Sequence, residues 1–207
     1  MVGGDRSVVF ESQDGRIARG RRTHEAILDA YELLIATRAQ PPTGAELAAC
    51  AGISARSVFT HFGDMDGVLA SATRRAIEWV AESHVDIPRD FPLDQRLDRF
   101  VHRQAEILER TTPLARMFRA GGHGRRSRSS SPISEILSGV DRIRRRYIED
   151  LFGRELALRS LEERGLLLEA LVGSCSWNLW EGLRSWQSLN RAEASEVMRR
   201  ILASLLR

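Results

Sequence analysis

The chain has 207 residues, 43% of them hydrophobic, and a formal net charge of +3 without a single lysine. No apolar run is long enough to span a bilayer, and no apolar stretch of a secretory signal opens the chain, so membrane and secreted proteins are not expected. Cys50 and Cys175 lie far apart and without zinc-ligand spacing. We therefore expect a cytoplasmic protein with reduced thiols and with no metal or other cofactor.

The N-terminal segment, residues 1–20, shows no helical periodicity and is predicted to be a mobile tail. The first helix is predicted from Thr23 to about Thr37, where apolar residues recur at helical spacing. Just before it lies a basic run without an acidic residue, which is either an arm for nucleic-acid phosphates or a solvated leader; it comprises Arg16, Arg19, Arg21 and Arg22.

The stretch from Thr43 to Phe62 is predicted to form two short helices joined by a tight turn. Thr43 and Glu46 have the spacing of a capping box at the start of the first helix. Gly52 stands where the turn requires a positive φ angle, and Ser54 is placed to cap the second helix. Val58 and Phe62 face inward, so Arg56, Ser57 and Thr60 face outward.

This pattern is typical of a helix-turn-helix, whose second helix enters the major groove of DNA. Short polar side chains and a guanidinium suit contacts to base edges, and Ser54 and Thr60 can bond phosphates. Free N–H groups at the helix starts favour an anion. The alternative interpretation is an ordinary corner between two well-capped helices.

The rest of the chain continues as helices without any alternating strand pattern, so the predicted fold class is all-α. Two further capping boxes are predicted, at Ser160 with Glu163 and at Asn190 with Glu193. The segment 121–132, rich in Gly, Ser and Arg, is predicted to be a loop, either solvated or touching DNA. The predicted helices run from Asp64 to His84, Leu93 to Arg110, Pro113 to Ala120, Ile133 to Phe152, Ser160 to Gln187, and onward from Asn190.

Residues 22–69 resemble the DNA-binding domain of the TetR/AcrR-like transcriptional regulators. Residues 51–62, Ala-Gly-Ile-Ser-Ala-Arg-Ser-Val-Phe-Thr-His-Phe, are similar to that family's Ala-Gly-Val-Ser-x-x-Thr-Leu-Tyr-x-His-Phe. Residues 64–69 stand where the family has Ser-Lys-Glu-Ala-Leu-Leu. The resemblance implies a three-helix head at 21–64, and an effector-binding and dimerisation domain at 65–207. It also implies DNA-binding positions at Arg19, Arg22, Thr43, Ser54, Ala55, Arg56, Ser57, Phe59, Thr60 and His61.

Two departures from the family pattern remove phosphate contacts. Phe59 replaces the usual tyrosine of the recognition helix, so its hydroxyl is missing, and Met65 replaces the usual lysine. Phosphate contacts set affinity and register, so these changes predict weaker binding to the DNA backbone without a change of fold.

A second group of residues predicts a small-molecule site in the larger domain. Trp177, Asn178 and Glu181 lie within about one helical turn and would suit an apolar effector with one polar handle. The alternative is that this stretch is only core or dimer-interface packing. The opposite wall of the predicted site comprises Phe100, Gln104 and Phe118.

Together, these features predict a homodimeric regulator, most simply a repressor that a small, mostly apolar effector releases from double-stranded operator DNA. The main alternative is a helical dimeric module that binds DNA or protein without a small-molecule ligand. No catalytic or metal-binding motif occurs, so an enzyme is not expected, although catalytic groups need not be neighbours in sequence.

Overall fold

The computed structural model describes residues 7–38, 40–82, 86–120 and 132–207, and side chains for all of these except 7–14 and 132–138. Across these residues the fold is all-α, as the sequence predicts. A π-helical turn, Gly182–Trp186, follows the ninth α-helix. The α-helices are α1 (Ser7–Thr37), α2 (Gly44–Ala51), α3 (Ala55–Phe62), α4 (Met65–Glu82), α5 (Leu93–Ala120), α6 (Pro132–Leu151), α7 (Gly153–Ala157), α8 (Leu161–Ser174), α9 (Trp177–Glu181) and α10 (Arg191–Leu206).

Helix α1 begins at Ser7, so the prediction that helical structure starts at Thr23 is wrong. Residues 7–20, predicted to lack regular structure, form its first half, and residues 1–6 lie outside the described part. Where its side chains are described, at 15–20, none is buried, and Ile17 is 64% exposed. A helical segment without a buried side leaves no apolar periodicity in the sequence, so the pattern predicted only the packed half of α1.

The helix-turn-helix head and two longer helices share one apolar core. Helix α1 contributes Ile27, Tyr31 and Ile35, and the short helices add Leu47 and Val58. Helix α4 closes this core, and the end of α5 also enters it. The residues from these two helices are Val68, Leu69, Ala72, Leu114 and Met117. The core thus continues across the boundary predicted between residues 64 and 65.

Helix α5 is continuous through Pro113, where the sequence predicts a break. Proline cannot donate a backbone hydrogen bond, which makes a helix end the usual expectation. In the same turn the hydroxyls of Thr111 and Thr112 donate to the carbonyls of Ile107 and Leu108, at 2.8 and 2.6 Å. Beyond it Leu114 is buried in the head core, so tertiary packing holds the helix together.

The long helix predicted from Ser160 to Gln187 is divided. Helix α8 ends at Ser174, and the Ser176 hydroxyl caps α9 by accepting from the Leu179 N–H at 3.4 Å. Gln104 Nε2 donates to the carbonyl of Cys175 at the break, at 2.9 Å. A serine that offers the backbone an alternative partner explains why apolar periodicity alone missed this end.

The larger domain has its own core, in which α5 packs against α6 to α10. Phe100, Phe152 and Trp180 are its largest fully buried side chains.

Both predicted capping boxes are present, at Ser160 with Glu163 and at Asn190 with Glu193. The buried stripe of α10 comprises Met198, Leu202 and Leu206, whereas Val197, Ile201 and Leu205 beside it are half-buried. Among the described helices, none has the length and apolarity that a membrane span requires.

Candidate nucleic-acid interface

The start of α2 is held by a complete capping box. The Thr43 hydroxyl accepts from the Glu46 N–H at 3.3 Å, and Glu46 Oε2 accepts from the Thr43 N–H at 2.8 Å. Arg38 contacts the same carboxylate from the end of α1, at 2.5 Å. Hydrogen bonds from the Thr43 backbone and hydroxyl, and then from Arg38, lower the pKa of Glu46 to about 2. The carboxylate is therefore ionised at neutral pH and fixes the start of α2 against α1.

A glycine turn sets the angle between α2 and α3. Gly52 has φ 67° and ψ 32°, the left-handed conformation that glycine adopts without strain. The Gly52 and Ile53 N–H groups donate to the carbonyls of Ala49 and Ala48, at 3.3 and 3.0 Å. This arrangement closes the end of α2 and starts the next helix immediately.

Helix α3 is anchored by one buried side chain and presents polar groups on its other side. Val58 is completely buried, whereas Ala55, Arg56 and Thr60 are exposed. The Ser54 hydroxyl accepts from the Ser57 N–H at 3.1 Å, as the sequence predicts for a cap. Within the described residues no ion pair holds the Arg56 guanidinium, so it is available to an external acceptor.

Two of the predicted DNA-binding side chains also make contacts inside the head. The Phe59 ring, 43% exposed, covers the start of α2, since a Cβ added to Gly44 would lie 2.7 Å from it. His61 is half-buried beside His24 of α1, with ring centroids 6.3 Å apart. Both residues therefore orient α3 within the head, and only part of each side chain faces outward.

The predicted basic arm lies on the surface of α1. Arg19 and Arg22 are exposed on this helix. The Arg19 carbonyl accepts from the Thr23 hydroxyl at 3.0 Å. These arginines are thus carried on a helix that continues into the head core, whereas the sequence predicts an irregular arm for Arg19.

An arginine on α4 ties this helix to α1. Arg75 Nη1 lies 2.7 Å from Asp29 and 3.2 Å from Glu25, and Nη2 lies 2.8 Å from Glu32. One guanidinium thus bridges three carboxylates on one side of α1. Helix α4 is consequently fixed to the head, both by this network and by the shared core.

The predicted effector-binding residues are dispersed, and most have partners inside the chain. Phe100 and Gln104 are buried in the core of the larger domain, and Trp177 Nε1 donates to Thr112 Oγ1 at 3.2 Å. Glu181 Oε1 lies 2.9 Å from Arg116 Nε, and Asn178 is exposed. Phe118 packs against the head core. The structure does not bring these six side chains around one described cavity.

An open pocket of about 530 Å³ lies instead between α5 and α10. It contains none of the predicted effector-binding residues. Most of its lining residues are of charged or polar type, and Arg199 is already paired with Asp98 at 2.5 Å. The lining residues are Asp98, Val101, His102, Ala105, Glu106, Arg191, Ala192, Ser195, Glu196 and Arg199.

The sequence interpretation overlooked an aromatic and basic cluster between α4 and α5. Arg103 and Arg110 both approach the Trp79 indole, with Cζ 4.9 and 3.9 Å from the ring centroid. A signal was available, because arginines recur every seven residues along α5, beginning at Arg96. Such spacing places them on one side of a helix.

The architecture can be compared with known proteins. A scan against protein-family models and a search of curated proteins give no match. The fold is similar to a crystal structure described as a tetR-family transcriptional regulator from Streptomyces coelicolor, with a TM-score of 0.69 at 16% sequence identity. The similarity covers 89% of this chain and 79% of that chain. The chain therefore has a TetR-like fold, with a helix-turn-helix head and a larger helical domain.

Proposed function

We propose that the protein is a DNA-binding transcriptional regulator and that α3 is its recognition helix. The observation that carries this proposal is the exposed, polar face of α3 on a rigidly capped helix-turn-helix. Arg56 and Thr60 are exposed on this face, while Val58 anchors the helix from the opposite side. Thr60 Oγ1 donates to the Arg56 carbonyl at 2.8 Å, which limits the rotation of the threonine. The fold similarity supports the same interpretation.

The proposed docking places the start of α3 in the major groove. Arg56 would contact a base edge or the adjacent phosphate, and Ser54 and Ser57 would lie near the backbone. The Ser54 and Ser57 hydroxyl oxygens are 2.9 Å apart, so either can offer a hydrogen to a phosphate. The predicted remainder of the interface is Arg19, Arg22, Thr43, Ala55, Phe59 and His61.

The protein is proposed to act as a homodimer, with the two heads on successive half-sites of DNA. Exposed apolar side chains on and beside α8 support this assembly, since water-exposed leucines on neighbouring turns indicate a contact surface. Leu158, Leu161 and Leu166 are 82%, 89% and 68% exposed. Two copies of α8 and α10 would form the four-helix interface of a two-fold dimer.

A ligand-driven release of DNA is the proposed mode of regulation. Helix α4 is tied to α1 by Arg75, and the end of α5 enters the head core. A rotation of α4 would therefore carry the recognition helix with it and change the spacing of the two heads. An effector shifts this equilibrium only by its preference for the non-binding arrangement.

The alternative function is a dimeric DNA- or protein-binding module without an effector. The internal partners of Gln104, Trp177 and Glu181 favour it, because a pocket built from these residues would first have to break those contacts. This alternative would be supported if the affinity for DNA stayed the same in the presence of every small molecule tested.

A selection from random duplex DNA tests the proposed function. Full-length protein is incubated with the library, bound duplexes are recovered, and enriched sequences are determined. We expect an enriched motif with two-fold symmetry and half-sites about one helical turn apart. The matched control is Arg56→Ala, which should enrich this motif much less. Recovery without any enriched sequence would contradict a sequence-specific regulator.

A further inference from the structure

Three arginines recur along α5, and the first shows how a buried guanidinium is satisfied in this protein. Arg96 is 3% exposed, and each of its side-chain nitrogens donates to an acceptor. Nε donates to the Phe91 carbonyl at 2.9 Å, Nη1 to the Leu151 carbonyl at 2.7 Å, and Nη2 to Glu155. The charge is thus compensated entirely within the chain.

Arg103, two turns further along α5, lacks this compensation. Its side chain is 14% exposed, and Nη1 donates to Glu106 at 2.8 Å. Nε and Nη2 are buried and have no hydrogen-bond partner among the described residues. Burying such donors without an acceptor is costly, and the cost is greater when the group is charged.

The two unpaired nitrogens lie on the same edge of the guanidinium. The Nε and Nη2 hydrogens point in parallel, which is the geometry with which arginine binds a carboxylate or a phosphate through two hydrogen bonds. Glu106 binds the opposite end of the group and also contacts His102 and Arg191, at 3.5 and 4.0 Å. Glu106 therefore fixes Nη1 of Arg103, and the inner edge of the guanidinium, formed by Nε and Nη2, is available to an external oxyanion.

Trp79 packs against the Arg103 guanidinium, and the charge of Arg103 also acts on Tyr147 of α6. Arg103 Cζ lies 4.9 Å from the Trp79 ring centroid on α4, and the Phe100 ring on α5 lies 5.9 Å from that of Tyr147 on α6. Burial and then the charge of Asp86 raise the pKa of Tyr147, and the positive charge of Arg103 opposes them. The Trp79 ring therefore offers an apolar surface beside the charged group.

We propose that the inner edge of Arg103 binds the oxyanion of a small acidic ligand whose apolar body lies against Trp79 and the neighbouring rings. The oxyanion is a carboxylate or a phosphate monoester. This site replaces Asn178 and Glu181 as the polar anchor expected from the sequence, because Asn178 is exposed and Glu181 is paired with Arg116.

The position of Trp79 connects the ligand to the head. Trp79 lies on α4 one turn beyond Arg75, the residue that joins α4 to three carboxylates of α1. A ligand that inserts beside Trp79 would therefore act directly on the helix that carries the head. This step rests on the proposed regulatory function, whereas binding of the oxyanion does not.

The binding test uses the full-length protein without DNA. Octanoate, octyl phosphate and the neutral octanamide are titrated by calorimetry, and the melting temperature is measured with each. We expect at least one anion to bind and raise the melting temperature, while octanamide binds more weakly by about tenfold or more. The difference between octanoate and octyl phosphate identifies the oxyanion.

Variants locate the site. Arg103→Gln should weaken binding of the preferred anion by about tenfold to a hundredfold, and Arg103→Lys should weaken it because lysine lacks the two-pronged edge. The control Arg99→Gln, which alters another arginine of α5 that lies on the Phe91 ring, should retain binding. Arg103→Met should melt at or above the parent temperature, because it removes an incompletely paired buried charge.

The outcomes separate this site from the proposed function. The Arg103 site is overturned if the parent protein binds neither anion more tightly than octanamide. It is also overturned if Arg103→Gln binds the preferred anion as tightly as the parent does. In a second assay the preferred anion is added to the protein–DNA complex. Anion binding through Arg103 without any release of DNA would leave the site standing and contradict the regulatory function.

Discussion

At the scale of single residues, the helix-turn-helix separates side chains that hold the head together from side chains left free. Glu46 is exposed, yet it joins the start of α2 to α1 through Thr43 and Arg38. Arg56 is also exposed, but among the described residues no carboxylate pairs with its guanidinium. Exposure alone therefore does not separate a residue that stabilises the head from one that is available to a partner.

Arg56 is expected to contribute directly to DNA affinity. Arg56→Ala should weaken binding to the selected motif by about 1–3 kcal/mol, because a base or phosphate contact is lost. The head should stay folded, since the side chain has no described contact within it. A gel-shift titration at fixed salt measures the effect, with Arg154→Ala on the exposed surface of α7 as control. Equal affinity of Arg56→Ala and parent protein would remove Arg56 from the interface.

Glu46 predicts a pH-dependent contribution to stability. Its pKa is lowered from 4.5 to about 2, so the folded state favours the ionised form. This contribution is fully present above about pH 4.5 and is lost as the pH falls toward 2. Glu46→Ala should therefore be less stable than the parent in urea at pH 7, with a smaller difference at pH 3.5.

Glu46→Gln serves as the control for that prediction, since glutamine can retain the capping geometry without the charge. Its stability relative to Glu46→Ala should change little between the two pH values. A parent-to-alanine difference that is the same at both pH values would show that ionisation of Glu46 contributes nothing.

At the scale of secondary-structure elements, two glycines allow the short helices to follow one another closely. Gly52 supplies the left-handed turn between α2 and α3. Gly67 lies in the first turn of α4, where the Asp64 carboxylate accepts from its N–H at 2.7 Å. A Cβ added at Gly67 would lie 2.1 Å from the Phe62 carbonyl oxygen, so a side chain cannot fit unless α3 and α4 separate.

Gly67→Ala should destabilise the head by about 1–3 kcal/mol, the usual cost of forcing extra atoms into a packed site. Urea unfolding measures it. The control is Gly20→Ala in α1, where an added Cβ meets no atom within 4 Å. It should be neutral or stabilising by up to about 1 kcal/mol, since alanine favours a helix interior. A Gly67→Ala protein as stable as the parent would contradict the close approach of the two helices.

The division of α8 from α9 is also an effect of local hydrogen bonding. Helical periodicity predicts one continuous helix through residues 160–187. Ser176 ends this continuity by capping α9, and Gln104 occupies the carbonyl of Cys175. Gln104 therefore has a structural role in joining α5 to the break.

At the scale of the whole molecule, the surface of α8 indicates that the described chain does not bury all of its apolar residues by itself. Leu161 and Leu166 are more exposed than most leucines of a packed helix. The half-buried residues Val197 and Ile201 of α10 add further apolar surface. A second copy of the chain would cover these helices in the proposed dimer.

Dimerisation through α8 can be tested with charge substitutions. The parent should show a light-scattering mass twice that of one chain at micromolar concentration. Leu161→Glu combined with Leu166→Glu should reduce this mass to that of one chain, because like charges would face each other across a two-fold axis. It should also weaken DNA binding. The control is Leu33→Glu, at an exposed leucine of α1. A parent of monomeric mass would contradict the assembly.

The sequence by itself determined the local features, since each depends on residues close together in the chain. The capping boxes at Thr43, Ser160 and Asn190 and the left-handed Gly52 are present as predicted. The all-α class followed from helical periodicity, whereas the TetR-like fold was implied by the resemblance of residues 22–69 to that family. The DNA-binding set and the dimer remain predictions.

Only the tertiary structure decided which surfaces meet. Pro113 lies within a continuous α5 because Leu114 and Met117 bury against the head, and this contact is distant in sequence. Arg96 and Arg103 are equivalent in spacing, yet Arg96 meets Glu155 whereas the inner edge of Arg103 meets no acceptor in the described chain. Periodicity specifies which side of a helix is buried, whereas the partner of each buried group depends on how separate helices pack.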